Sequence, residues 1–205
     1  MSTVDKNLDP YTAKAEKHDF TPQQKIDGLH AIIKAAGTGM LVTRSSDGHL
    51  HSRAMAPASP YSPTQTTLVF IANNASHKFD ELQNDSHVNV SFYDSKTTDW
   101  VSVAGTAKIS QDKALIKKHW SSLIAAYFGD LKDGVHKGNE DDPRVSVIEV
   151  IPTDIRYWKS KESSITRTLE NAIDAATGRV SVPGELIQIT KQEIELTQGV
   201  NSTSA

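Results

Sequence analysis

Between Met40 and Asn84 the chain alternates β-prone runs with turn residues in an order that few architectures can satisfy. Met40-Leu41-Val42-Thr43-Arg44 leads into Asp47-Gly48, and the run His49 to Ala56 follows. Asp-Gly between two β-prone runs marks a hairpin, because the tight turn needs a positive φ that glycine adopts at little cost. A third run, Leu68 to Ala72, passes through Asn73-Asn74-Ala75-Ser76 to His77-Lys78, where a helical pattern with Phe79 and Leu82 begins. Ser76 is expected to be that helix's N-cap. A strand that ends at a Ser-His-Lys helix start is a candidate anion site, with free backbone N–H groups, a hydroxyl and cationic side chains. Arg53, from the neighbouring hairpin, would complete a phosphate clamp.

The flanking segments extend the same alternation. Residues 1–20 read as a mobile arm. Thr21-Pro22 opens a helix as N-cap and first helical residue. Ile26, Leu29, Ile33 and Ala36 share one face of it, and Gly37 suits its C-terminus. Val88, Val90 and Phe92 alternate with polar residues, as in a half-buried strand. Residues 99–110 read as another strand, in which Gly105 marks a bulge or a close backbone approach. A helix is expected over about 111–127, with Leu115, Trp120, Leu123, Ile124 and Tyr127. A Gly/Asp/Lys-rich loop follows over 129–143, and Asp141-Asp142-Pro143 reads as a solvated turn. Val145–Val150 and Ile155–Trp158 read as two strands interrupted by Pro152. A helix near 164–176 and an apolar segment holding Val180, Val182, Leu186, Ile187 and Ile189 come next, and the small polar tail from Gly199 is expected to be disordered. The pattern is α+β: a small, mainly antiparallel β-barrel of six to seven strands with covering helices and a C-terminal helix/strand extension.

Composition narrows the function. A net charge of −3 over 205 residues and a pI near 6.2 speak against general nucleic-acid binding, which needs a basic field. There is no cysteine, which removes disulfides and thiolate metal sites. No apolar run approaches the length of a membrane span, and residues 1–20 lack the apolar stretch of a signal peptide. The expectation is a soluble cytoplasmic protein. His49 and His51 share a strand face, but no third ligand falls at a useful spacing, so no metal site is expected. Nor is there a Ser-His-Asp set, a carboxylate pair or a P-loop, and no catalytic side chain is assigned.

Taken together, these motifs resemble the pyridoxamine 5′-phosphate oxidase-like superfamily of FMN-binding split barrels. Within it the chain is similar to the general stress protein 26 group and its fungal blue-light-inducible relatives. The resemblance rests on Ser52-Arg53-Ala54-Met55, Val69-Phe70-Ile71-Ala72-Asn73, Ser76-His77-Lys78 with Glu81-Leu82, and Val88-Asn89-Val90-Ser91-Phe92-Tyr93-Asp94. Val101 to Ala107, Trp120, Asp141-Asp142-Pro143 and Tyr157-Trp158 continue it, so that it covers roughly residues 22–160. It implies domain limits of 21–160 for the FMN-binding barrel and 161–205 for an extension packed on the barrel or on a partner.

The resemblance also implies a site. Arg53 would contact the FMN phosphate or ribityl chain, and Ala54, Met55 and Ala56 would line the cofactor. Ile71 and Ala72 match the strand end that meets the flavin. Ser76, His77 and Lys78 match the family's phosphate-binding turn, with His77 standing where the oxidases usually have Arg. Trp100 falls where the oxidases place a Gln near the isoalloxazine. Trp158 matches a late Trp that reaches the cofactor from the other subunit, which implies a homodimer with two FMN molecules at its interface. The residues themselves leave plainer roles open: a solvated strand charge for Arg53, an exposed helix start for Lys78, a simple cap for Ser76, a core or dimer aromatic for Trp100, Trp120 and Trp158. Two functions stay open as well, an FMN-dependent oxidoreductase of the stress response acting on an unknown small molecule, and a non-catalytic protein that stores or senses FMN. The oxidases' Arg-rich C-terminal segment has no counterpart here, which speaks against pyridoxamine phosphate oxidation itself.

Overall fold

The computed structural model describes residues 8–58, 62–161 and 180–202. Seven strands form one curled sheet: β1 (Gly39–Arg44), β2 (Leu50–Met55), β3 (Leu68–Asn73), β4 (His87–Tyr93), β5 (Trp100–Ser110), β6 (Val145–Ser160) and β7 (Gly184–Thr190). Every ladder between them is antiparallel. The strand order is β2-β1-β4-β5-β6-β3, with β7 also paired to β6. The sheet closes on itself without completing a ladder: past the end of β2, the Ala58 N–H donates to the Val69 carbonyl of β3 at 2.7 Å. That gap is the split of the barrel. Six helices accompany the sheet among the described residues: α1 (Pro10–Ala15), α2 (Pro22–Ala36), α3 (Lys78–Asn84), α4 (Lys113–His119), α5 (Ser122–Ala125) and α6 (Lys191–Ser202). None is long and apolar enough to cross a membrane.

Local chemistry explains where the elements start and stop. The hydroxyl of Thr21 accepts from the Gln24 N–H while the Gln24 side chain accepts from the Thr21 N–H, a reciprocal box that satisfies two orphan donors of α2. Ile26, Leu29, Ile32 and Ile33 fill the barrel end under this helix. Gly37, at φ +69°, ends it. The β1–β2 connection is a three-residue loop, in which Gly48 N–H donates to Ser45 O and Ser45 N–H to His49 O. Only Gly48, at φ +91°, has a left-handed backbone there, so the turn is the bulged three-residue form rather than a two-residue hairpin.

The two strands expected around Pro152 are one strand of 16 residues. Pro152 pairs opposite Gly105, where the β5–β6 register shifts. The bulge takes up the missing proline donor. A Cβ at Gly105 would lie 2.2 Å from the Ile151 carbonyl oxygen, so the close backbone approach expected of Gly105 is present. The first half of β6 pairs with β3 and the second with β7. The C-terminal extension is thus part of the sheet: Ile187 and Ile189 belong to the main core, and Lys25 of α2 holds Glu193 of α6 at 2.6 Å. Val180, Val182 and Leu186 are half-buried. The helix expected near 164–176 lies outside the described residues, and of the segment from Gly199, expected to be disordered, the part to Ser202 is helical.

Three further expectations need correction. Residues 10–15, read as part of a mobile arm, are helical, because Asp9 caps Thr12 N–H and Pro10 occupies the first turn. Ala15 is buried and Lys17 N–H donates to Leu186 O at 3.1 Å. The helix expected over 111–127 is two helices. Trp120 leaves helical backbone at ψ 140° and packs its indole on Phe128, 5.8 Å between ring centres, over a second cluster formed by Val69, Ile116, Val145 and Val147. Phe128 is buried and Tyr127 exposed. Asp142, read as a solvated turn residue, is fully buried and bound to Arg144.

Candidate functional site

Register decides which side of the sheet each site residue faces. Arg53 lies opposite Leu41 on β1, and Leu41 continues across the sheet to Val90, Val103 and Ile155, all at the core. Arg53 and Met55 therefore point inward, and Met55 packs against the core. His51 faces the same way, opposite Thr43. Ala54, one residue out of phase, faces outward and is exposed, as is Ala56 beyond the strand end. Ala72 is buried in the main core and Ile71 packs on the second cluster.

The inner face of β2 meets α3 across the split. The Arg53 guanidinium donates to Glu81 Oε2 at 2.7 Å, to the Thr43 hydroxyl, and to Leu41 O at 3.4 Å. Glu81 also accepts from the Thr43 hydroxyl and lies 2.5 Å from His51 Nδ1. Burial would raise the Glu81 carboxyl. The hydrogen bonds from Thr43, His51 and Arg53, with the Arg53 charge, outweigh that and bring it to about 2. Lys78 stands beside this group. Its ammonium donates to the Ser76 hydroxyl at 2.5 Å and makes no salt bridge within 4 Å among the described residues. Burial and the neighbouring Arg53 charge push Lys78 down, and Glu81 offsets this in part. Two cations thus stand side by side at the barrel's split, and only Arg53 is bonded to the carboxylate. A pocket of about 470 Å³ opens there, lined in part by Ser45, His51, Arg53, His77 and Glu81.

Ser76 is not the helix cap. His77 holds that position with no side-chain cap bond, and the Ser76 hydroxyl donates to Asn73 O while accepting from Lys78. The turn Asn73–Ser76 precedes the helix instead, with Ser76 N–H bonded to Asn73 O. His77 is exposed, 3.8 Å from Asp80. Any attraction for an anion here comes from the Arg53 and Lys78 side chains more than from the end of a seven-residue helix. Sequence reasoning missed Glu81, Thr43 and His51. The strand alternation that puts Leu41 inside also puts Thr43 inside, and that was the available signal.

Trp100 and Trp158 lie on the other face. They are direct cross-strand partners, and their outward neighbours include Tyr93, opposite Trp100. Trp100 is partly exposed. Trp158 is covered by its own chain, stacked on Tyr11 of α1 at 5.9 Å with the ring planes 12° apart. One chain therefore does not bring all the expected residues together: Arg53, Ser76, His77 and Lys78 gather at the split, and Trp100 and Trp158 stand outside on the sheet. Among the described residues, no three His, Asp or Glu side chains are arranged to hold a metal.

FMN requires a dianionic phosphate subsite and a flat surface for its ring. The Arg53–Lys78 pair fits the first, since an incoming anion would offset both the burial and the Arg53 repulsion that depress Lys78. The exposed face of Trp100 with Ala54 and Met40 fits the second.

An antiparallel barrel split between β2 and β3, with a cationic pair at the split and helices over its ends, defines a class. The profile of the family described as pyridoxamine 5′-phosphate oxidase like matches residues 24–181. The chain is 38% identical over 194 residues to protein bli-3 of Neurospora crassa, covering 94% of this chain and 92% of that protein. It is 32% identical over 149 residues to general stress protein 26 of Bacillus subtilis, covering 71% and 88%. Its fold is similar to that of a pyridoxamine 5′-phosphate oxidase-related, FMN binding protein from Nostoc punctiforme, with a TM-score of 0.55 at 14% identity over 69% of this chain and 85% of that one. The protein belongs to the pyridoxamine 5′-phosphate oxidase-like family, in the superfamily that includes general stress protein 26 and the fungal homologue.

Proposed function

We propose that this protein binds FMN as a homodimer and acts as a flavin-dependent oxidoreductase in the stress response. The observation that carries the reading is the pairing of two neighbouring cations, Arg53 bound to Glu81 and Lys78 bound, among the described residues, only to the Ser76 hydroxyl, next to an open pocket that Arg53 lines with Glu81 and Asp80. Lys78, held by Ser76 and paired with no carboxylate within 4 Å among the described residues, takes the phosphate. Arg53 contributes its charge in competition with Glu81. When bound, FMN supplies the hydride chemistry. The residues around the ring supply orientation, stacking and exclusion of water, and none of the side chains matched to the ring titrates near neutral pH. The Nostoc protein is named as FMN binding and the Bacillus relative as a stress protein, and both support the reading.

The outer face of the sheet supports the dimer reading. Met40, Tyr93 and Trp100 are exposed there at 40%, 59% and 36%, with Ala54 beside Met40. An apolar face of this kind on a folded chain is best covered by another subunit. It also lets a flavin anchored at one chain's split meet the tryptophan face of the other, which a single chain does not offer. Sedimentation at micromolar concentration should give twice the 22.4 kDa chain mass.

Fluorescence titration with FMN and riboflavin tests the phosphate site. Each charge-assisted contact contributes about 1.5–3 kcal/mol, so Lys78→Ala should weaken FMN binding roughly tenfold or more, and Lys78→Ala with Arg53→Gln by roughly a hundredfold or more. Riboflavin binding as tightly as FMN would overturn the site. A non-catalytic flavin store is the competing function. A yellow protein whose flavin is not reduced by a reduced nicotinamide would favour it.

A further inference from the structure

The helix α1 and the loop before β7 enclose a second pocket, of about 440 Å³, on the sheet face opposite Arg53. Three of its walls are aromatic: Tyr11, Trp100 and Trp158. The hydroxyl-bearing Thr12 and Thr98 add polar groups at the rim. Among the described residues, Arg156 is the one charged residue in the lining and no acidic residue lines it. Arg156 lies between the two tryptophans' row and Asp154 on β6, and gives its Nε to Asp154 Oδ2 at 2.9 Å. Among the described residues its terminal N–H groups make no further hydrogen bond.

The wall formed by α1 is built into the chain. Ala15 is buried under it, Lys17 N–H is bonded to Leu186 O, and Lys14 Nζ donates to Val180 O at 3.0 Å. The Tyr11 ring is held parallel to Trp158 yet remains 43% exposed. Parallel and adjacent aromatic faces select flat, polarisable rings. A guanidinium in such a lining selects a carboxylate, which it meets in a planar fork. The volume lies in the ordinary range for small-molecule sites. Trp100 also borders a separate depression toward β4, lined by Thr38, Met40 and Tyr93, and that depression is the one the flavin ring takes in the reading above. The two ligands would flank the same indole without competing.

We propose that the pocket under α1 binds a planar aromatic carboxylate, with its ring against Trp100 and Tyr11 and its carboxylate on Arg156. Binding itself uses none of the phosphate-site residues. Only the ligand's place beside a flavin rests on the proposed function.

Isothermal titration of the full chain with 2-naphthoate, and with neutral 2-naphthalenemethanol as control, tests this. 2-Naphthoate should bind with a dissociation constant below about 1 mM and at least tenfold more tightly than the alcohol. Arg156→Gln should remove that advantage by weakening the carboxylate alone. Tyr11→Ala should weaken both compounds several-fold. Both substitutions are at partly exposed positions, and circular dichroism confirms that each variant is folded. No binding of 2-naphthoate, or binding unchanged in folded Arg156→Gln, overturns the proposal. The flavin reading fails separately: Lys78→Ala should lose FMN and keep 2-naphthoate. Arg156-dependent naphthoate binding by a protein that never binds FMN would leave this pocket standing and remove the flavin reading.

Discussion

Asp142 and Arg144 stand two residues apart at the end of the 129–143 loop, whereas Glu81 and Arg53 are 28 residues apart and join α3 to β2. Both are arginine–carboxylate pairs, and both carboxyls are held well below the usual range. Their surroundings differ. Asp142 is fully buried and accepts from Gly138 N–H and from the N–H, Nε and Nη2 of Arg144. The remaining Arg144 donors go to the carbonyls of Phe128 and Gly129, and its guanidinium lies over the Phe128 ring. That pair is closed: the protein itself fills the arginine fork, and the result is a staple across a glycine-rich loop. The Glu81 pair opens on a pocket, shares its carboxylate with a half-exposed histidine, and has a second cation next to it. A ligand can compete for the open arginine and cannot reach the closed one.

Substitution of each carboxylate separates the two roles. Asp142→Ala should have the largest effect. It leaves Arg144 without its partner in a buried setting, a change that usually costs about 3–5 kcal/mol. Urea denaturation should show that loss, while FMN affinity of the remaining folded protein should change less than about twofold, because no residue at the split is disturbed. A loss below about 1 kcal/mol would show that the loop does not depend on the staple.

The open pair should give a smaller effect on stability and a gain in binding. The Glu81 carboxyl is lowered from 4.5 to about 2 in the fold. A depressed carboxyl contributes its stability fully above its unfolded value and loses it as pH falls through the folded one. The window is therefore pH 4.5 down to 2, and the contribution is at most about 3 kcal/mol, less where solvent screens the pair. Glu81→Gln should lower stability by about 2–3 kcal/mol at pH 7, with the difference from the unsubstituted protein closing by pH 2. The same change should tighten FMN binding several-fold, since Arg53 then has no competing carboxylate. Equal stability differences at pH 7 and pH 2 would show that Glu81 acts through packing and not through its charge. Weaker FMN binding would show that Glu81 orients Arg53 for the phosphate.

The barrel was legible because its strands carry a strict two-residue period: Leu41, Val90, Phe92, Val101 and Val103 announce an inner face, and the register carries that face across the sheet. The α2 boundaries were legible too, because Thr21-Pro22 and Gly37 are local signals that tertiary contacts do not override. The break at Trp120 was not. A helical pattern of apolar residues continues through it, and the decisive contact, Trp120 on Phe128, forms only when the chain turns back. Helix α1 was passed over because six residues with one apolar aromatic make no periodic stripe, although Asp9-Pro10 marks a helix start. At the candidate site, Arg53, Ser76 and Lys78 were recognised by type and position. Their pairing was hidden, because Glu81 reads as a solvated helix residue until β1 supplies Thr43 and β2 supplies His51 from more than 29 positions away. Asp142 was misread for a related reason: an Asp-Asp-Pro run looks like a surface turn, and burial by Arg144 and the 129–138 loop leaves no trace in composition.

Ser76 offers the finest test of the open region, because the sequence and the structure assign it different work. A helix N-cap serine replaced by alanine costs about 1 kcal/mol. Here the hydroxyl donates to Asn73 O and accepts from Lys78, and caps nothing in α3. Ser76→Ala should therefore change stability by less than about 0.5 kcal/mol, the usual range for partly exposed positions away from buried networks. Its effect should appear in binding instead. Without the Ser76 oxygen to hold it, the Lys78 ammonium samples more orientations, and FMN affinity should fall roughly threefold while riboflavin affinity stays unchanged. Urea denaturation and the paired titrations together decide the point. A stability loss near 1 kcal/mol with no change in FMN affinity would return Ser76 to the role of a plain helix cap, and would leave Lys78 to hold its position unaided.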